Sequence, residues 1–144
     1  MLFGKPKRIV KRILIVEDEP LTAFDNEVRL RDAGYEVVAT LDRVADAVAT
    51  LDEEQVDLIL CDVRLTGERT GIDLAQIAQK RGIPVLFSTG NPPPNASDLV
   101  LGCLIKPYTD RTLRAALKAV EQHLAGKKAK PPNGLELYGI PAAD

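Results

Sequence analysis

No sign of charge dominates this chain: 19 lysines and arginines stand against 21 aspartates and glutamates, a net charge of −2 over 144 residues. A protein whose main partner is nucleic acid needs a positive field, and this balance supplies none. No apolar run approaches the roughly 20 residues that a membrane-spanning helix requires. The start, "MLFGKPKRIVKR", is basic, yet it has neither the apolar centre nor the small-residue cleavage site of a secretion signal. Cysteine is nearly missing. Cys61 and Cys103 both lie inside apolar runs, which reads as two buried thiols in a reducing cytoplasm. There is no internal repeat. What remains is an ordinary globular composition, 45% hydrophobic and 28% charged, with length enough for one domain around a sizeable core.

Short apolar runs alternate with helical patterns. "RILIV" (12–16), "YEVVAT" (35–40), "VDLILC" (56–61), "PVLFS" (84–88) and "GCLIK" (102–106) read as strands, most of them apolar throughout, as strands covered on both faces are. Between them Val44, Val48 and Leu51 recur at helical spacing, as do Leu74, Ile77 and Ala78. Leu113, Leu117, Val120 and Leu124 form the clearest stripe, with Thr109 or Asp110 as N-cap. Leu21, Phe24 and Val28 align along the first helix, while Leu30 falls off their face. Gly34 and Gly126 sit where helix C-caps place glycine. Five strand–helix units imply a parallel, doubly wound sheet. The fourth helix is expected to be short or irregular, because "TGNPPPNASDLVL" carries three prolines that cannot continue a helix. The organisation expected is a basic arm at 1–11, a folded domain at 12–126 and a flexible tail at 127–144. Within that tail Leu135, Leu137, Tyr138 and Ile140 are able to dock.

In an open parallel sheet, ligands bind beyond the carboxyl ends of the strands. The first strand ends in Glu17, Asp18 and Glu19, the third in Asp62, the fourth in Ser88 and Thr89, and the fifth in Lys106. Alone, each has an ordinary explanation. Acids suit a helix N-terminus, Asp62 suits a turn, and lysine suits a surface. Together they place carboxylates, a hydroxyl and an ammonium on one edge. Crowded carboxylates repel and need a compensating cation. Hard oxygen ligands with room for water and a phosphate oxygen suit Mg²⁺.

"ILIVEDEP", "VDLILCDVRLTG", "FSTG" and "LIKPY", in that order and spacing, resemble the receiver domain of two-component response regulators, over roughly residues 12–125. The resemblance implies the flavodoxin-like (βα)5 fold, a five-stranded sheet in the order 2-1-3-4-5. It also implies phosphoryl transfer to Asp62 from a histidine kinase or a histidine phosphotransfer protein. On the matching positions, Asp18 and Glu17 would hold Mg²⁺ together with Asp62 and the backbone carbonyl of Arg64. Thr89 would be the hydroxyl that moves toward the phosphoryl group, in preference to Ser88, because Gly90 follows it. Lys106 would be the ammonium that pairs with the phosphoryl group. "LFSTGN" further resembles the F-x-T-G strand of a single-domain alphaproteobacterial subclass that works with kinases of the HWE type, and the glycines of "DVRLTGERTG" agree with it.

Two departures bear on mechanism. The bulky residue that this subclass carries after the T-G pair is here Asn91, followed by three prolines. The aromatic that most receivers place three residues before the lysine is here Cys103, and Tyr108, after the lysine–proline pair, does not stand in its place. Arg64 and Asn91 sit where they can modulate acyl-phosphate hydrolysis, and His123 is expected to face solvent. The reading is a stand-alone cytoplasmic phosphoprotein, a switch or phosphate sink in a phosphorelay rather than an enzyme with an external substrate. Three alternatives stand beside it. A metal-dependent aspartyl phosphatase or phosphotransferase needs an acid two residues after the nucleophile, where Arg64 stands. A flavin or nucleotide carrier finds no G-x-G-x-x-G. A receiver-like module that binds constitutively remains open.

Overall fold

The computed structural model describes residues 9–139. Most of the expected basic arm, as well as Ile140 and the four residues after it, therefore lie outside the described residues. The elements run β1 (Arg12–Val16), α1 (Pro20–Asp32), β2 (Glu36–Leu41), α2 (Val44–Glu53), β3 (Leu58–Cys61), α3 (Gly71–Lys80) and β4 (Val85–Thr89). A 3-10 turn (Ala96–Asp98), β5 (Gly102–Ile105), α4 (Asp110–Leu124) and β6 (Leu135–Leu137) complete them. The sheet order is β2-β1-β3-β4-β5-β6, parallel through β5. This is the flavodoxin-like order expected, and a single 3-10 turn stands in place of a fourth helix, as the prolines required.

Alternation along the strands divides the core into two layers. Ile13, Ile15, Leu58, Leu60, Leu86 and Leu104 face α1 and α4, meeting Leu30, Leu113, Leu117 and Val120. Leu14, Val16, Ile59, Cys61, Phe87 and Cys103 face the other way, toward Val44 and Ala47 of α2 and Leu74, Ala75 and Ala78 of α3. Both cysteines are buried and free, as their neighbours suggested. Caps match their sequences: Thr109 accepts from the Thr112 N–H to start α4, and Thr70 with Asp73 forms a capping box on α3.

Two expectations are corrected, for the tail and for His123, and the side on which α1 packs is now settled. The aligned residues of α1 do not face the core: Ala23, Asn26 and Leu30 are buried, and Leu21, Phe24 and Val28 lie in solvent. The two sets share one spacing and differ by two positions, about 200° around the helix, so the strand-facing side went to the smaller residues. The segment after Gly126 is not a loose tail through its described length, since β6 pairs antiparallel with β5, Leu135 is buried, and Tyr138 N–H donates to the Leu101 carbonyl. Leu135 gains burial, and the otherwise open edge of β5 gains hydrogen-bond partners. This docking also removes His123 from open solvent, because its Nε2 meets the Tyr138 carbonyl.

Candidate functional site

The site forms where strand ladders stop. Asp62 N–H still donates to the Val16 carbonyl at 2.9 Å, so the residue after β3 is fixed beside the end of β1. Lys106 N–H donates to the Thr89 carbonyl at 2.9 Å and ties the ends of β4 and β5 in the same way. Glu17 N–H donates to Leu41 O at 2.8 Å. Backbone pairing thus places the residues, and side chains need only short reaches to converge.

Carboxylate oxygens of Glu17, Asp18 and Asp62 all lie within 4.8 Å of one another. Glu17 is buried, Asp62 half-buried and Asp18 exposed, so the cluster opens to solvent on one side. Lys106 Nζ bridges two of them, donating to Glu17 Oε1 at 2.7 Å and to Asp62 Oδ2 at 3.3 Å. Burial, and then the hydrogen bond shared with Asp62, push the Glu17 carboxyl up to about 7, although Lys106 and the Glu19 N–H pull the other way. For Lys106, burial works against the charge, but its bonds to Glu17 and Asp62 outweigh burial and hold its pKa above the ordinary lysine value. One ammonium therefore does not satisfy three acids. All-oxygen donors, an open side and a carboxyl held above its usual range fit a hard divalent cation such as Mg²⁺.

The other expected residues fall nearby but are differently engaged. The Thr89 hydroxyl is turned into its own loop, accepting from the Asn91 N–H at 3.1 Å and lying 3.2 Å from the Asn91 carbonyl. Arg64 meets Asp62 through its backbone N–H, which donates to Oδ1 at 3.2 Å, while its side chain is exposed. Ser88 faces the opposite layer of the sheet from Phe87 and bonds Tyr108. Cys103 is fully buried, and Tyr138 from the docked C-terminal segment packs against the same layer of the core.

Two features were not read from the sequence. Asn26 Nδ2 donates to Tyr108 Oη at 3.0 Å, and Tyr108 Oη pairs with Ser88 Oγ at 2.8 Å, joining α1, the turn after β5, and β4. A polar residue on the packed side of α1 is its signal in the sequence. Gly71, the first residue of α3, lies against the backbone of Asp62: a Cβ there would sit 2.0 Å from the Asp62 carbonyl oxygen. Its N–H donates to the Val63 carbonyl at 2.8 Å.

A family model described as the response regulator receiver domain matches residues 13–118. The transcriptional regulatory protein PdtaR of Mycobacterium tuberculosis (strain CDC 1551 / Oshkosh) is 34% identical over 116 residues, covering 76% of this chain and 56% of PdtaR. The chain thus spans about half the length of that curated relative. The chemotaxis protein CheY4 of Vibrio cholerae aligns with a TM-score of 0.68 and 26% identity, over 77% of this chain and 98% of CheY4. The receiver domain of the sensor histidine kinase PA1611 of Pseudomonas aeruginosa PAO1 was solved with a magnesium ion coordinated in its active-site cleft. It aligns with a TM-score of 0.66 and 25% identity, over 76% of this chain and 95% of that one.

Proposed function

The chain belongs to the response regulator receiver domain family, and on that premise we propose that it accepts a phosphoryl group on Asp62 and signals through protein contacts that depend on it. The observation that carries the proposal is the meeting of Glu17, Asp18 and Asp62 within 4.8 Å under the Lys106 ammonium, at the carboxyl ends of the strands. Asp62 Oδ attacks phosphorus in line. The P–N bond to a donor histidine breaks as the P–O bond forms, and the product is an acyl phosphate.

Bound between Glu17, Asp18, Asp62 and the Arg64 carbonyl, Mg²⁺ would neutralise charge on the phosphoryl oxygens. The Lys106 ammonium is free to leave Asp62 for a phosphoryl oxygen, and its backbone stays tied to Thr89 O. Thr89 must give up its Asn91 contacts to reach the same group. The domain catalyses only its own phosphorylation and dephosphorylation.

The donor is a histidine kinase, the HWE type being the class that the T-G strand suggests, or a histidine phosphotransfer protein. The exposed stripe of Leu21, Phe24 and Val28 supports protein docking beside the site, because α1 begins at Pro20, directly after the acids. Incubation with acetyl phosphate and Mg²⁺, read by intact mass, tests the proposal. One phosphoryl adduct is expected on the native chain and none on Asp62→Ala. An adduct retained on Asp62→Ala refutes the acceptor assignment.

A further inference from the structure

We propose that the Tyr108 hydroxyl is the link by which a change at the phosphoryl site reaches α1, an inference that rests on the phospho-receiver reading above. Usual receivers place an aromatic where this chain has Cys103, so the signal needs another path. Tyr108 lies two residues beyond Lys106, and Ser88 directly precedes Thr89. The two residues proposed to contact phosphate therefore each have a near chain neighbour in one hydrogen bond, Tyr108 Oη with Ser88 Oγ at 2.8 Å. That bond lies on the opposite layer of the sheet from Phe87 and Cys103, on the side where α1 packs.

Asn26 completes the chain. Its amide nitrogen donates to Tyr108 Oη at 3.0 Å, and the same oxygen shares its second bond with Ser88 Oγ at 2.8 Å. Asn26 and Ser88 are each only 2% exposed, so within the fold each side chain has Tyr108 Oη as its partner at this corner. Lys106 N–H is bonded to Thr89 O, so the ends of β4 and β5 move as a unit. A displacement of Thr89 or Lys106 toward phosphate has to stretch the Ser88–Tyr108 bond or carry Tyr108 with it. Carrying Tyr108 pulls on Asn26, in the middle of α1. A surface groove bordered by Thr22, Asn26, Arg29, Pro107 and Tyr108 gives this corner room to shift. The readout arrives on a helix whose outer face already presents Leu21, Phe24 and Val28.

Backbone amide NMR of the full chain with Mg²⁺, before and after beryllofluoride, tests this. In the native protein, Thr89 and Lys106 are expected to shift together with residues 25–29, which lie beyond the first turn of α1 and its acids. In Tyr108→Phe, which deletes one oxygen, Thr89 and Lys106 still shift and the response of 25–29 collapses. Asn26→Ala, which spares the Ser88 pair, gives the same result and serves if Tyr108→Phe does not fold. Native-sized shifts at 25–29 in either folded variant overturn the link, as does a native protein whose site responds while α1 does not. A native protein silent at Thr89 and Lys106 overturns the phospho-receiver reading itself, and the link with it.

Discussion

Gly71→Ala adds one methyl group and should damage both stability and phosphorylation, because of where that methyl has to go. A Cβ at Gly71 would lie 2.0 Å from the Asp62 carbonyl oxygen, 2.9 Å from the Asp62 carbonyl carbon and 2.9 Å from Val63 Cα. All three are backbone atoms, so no side chain can swing aside. Ordinary contact begins near 3.4 Å, so the start of α3 has to retreat from Asp62 by about 1.4 Å (3.4 less 2.0). That retreat breaks the 2.8 Å bond from Gly71 N–H to Val63 O. Overpacking of this kind costs about 1–3 kcal/mol, and the lost hydrogen bond about 1 kcal/mol more. For a chain of this size that lowers the melting temperature by on the order of 10 °C.

If the strain is relieved on the Asp62 side instead, the proposed acceptor moves off its line of attack, and misplacement of about 1 Å can slow a reaction on the order of 100-fold. Melting and the rate of labelling by acetyl phosphate, measured on one preparation, show how the strain divides. Gly90→Ala is the control: nothing lies within 4 Å of a Cβ there, so its stability should stay within about 0.5 kcal/mol of the native value. A Gly71→Ala protein that melts and labels like the native one refutes the reasoning.

Gly102→Ala should undock the C-terminal strand, because its Cβ would meet the Glu136 carbonyl oxygen at 2.3 Å. Hydrogen exchange is expected to lose protection at residues 135–138 while β1 and β3 keep theirs. The metal-free protein should lose stability as pH rises from about 5 to 8. Glu17, whose pKa in the folded state lies near 7 against an ordinary 4.5, contributes fully below the unfolded value and progressively less as it ionises. The loss is at most about 3 kcal/mol, and thermal melts should show it abolished in Glu17→Gln and offset by Mg²⁺ in the native chain. Phe24→Ser, at a position 65% exposed, should leave melting and acetyl phosphate labelling unchanged while slowing transfer from a cognate histidine donor about tenfold or more. Equal slowing with both donors would place Phe24 in the fold rather than in docking.

The strands were legible because a buried parallel sheet writes itself as uninterrupted apolar runs, and β1, β3 and β4 are such runs, whereas their order came only from the family resemblance. That the acids, Thr89 and Lys106 gather at one edge of the sheet was legible for a related reason. Once the strand ends are located, each residue that follows one is placed by backbone ladders, and no side-chain geometry has to be guessed. Illegible were contacts made by single atoms across distant chain positions, such as Gly71 against Asp62 or Asn26 with Tyr108, which leave no periodic trace. The β6 pairing was hidden because three residues between glycines and prolines carry too little pattern to separate a docked edge strand from a tail.

The side on which α1 packs was illegible for another reason. Helical periodicity identifies a face but carries no sign, and on α1 two faces compete at the same spacing. Ala23, Asn26 and Leu30 together bury less apolar surface than Leu21, Phe24 and Val28 would, so hydrophobicity alone selects the wrong side. The fold takes the smaller face because the Asn26 amide finds Tyr108 there and Leu30 reaches the β1 layer. A helix that leaves its larger apolar residues in water is storing surface that folding did not use. Placed at the rim of a site whose proposed chemistry needs a second protein to bring the phosphoryl group, that surface is better explained by docking than by stability.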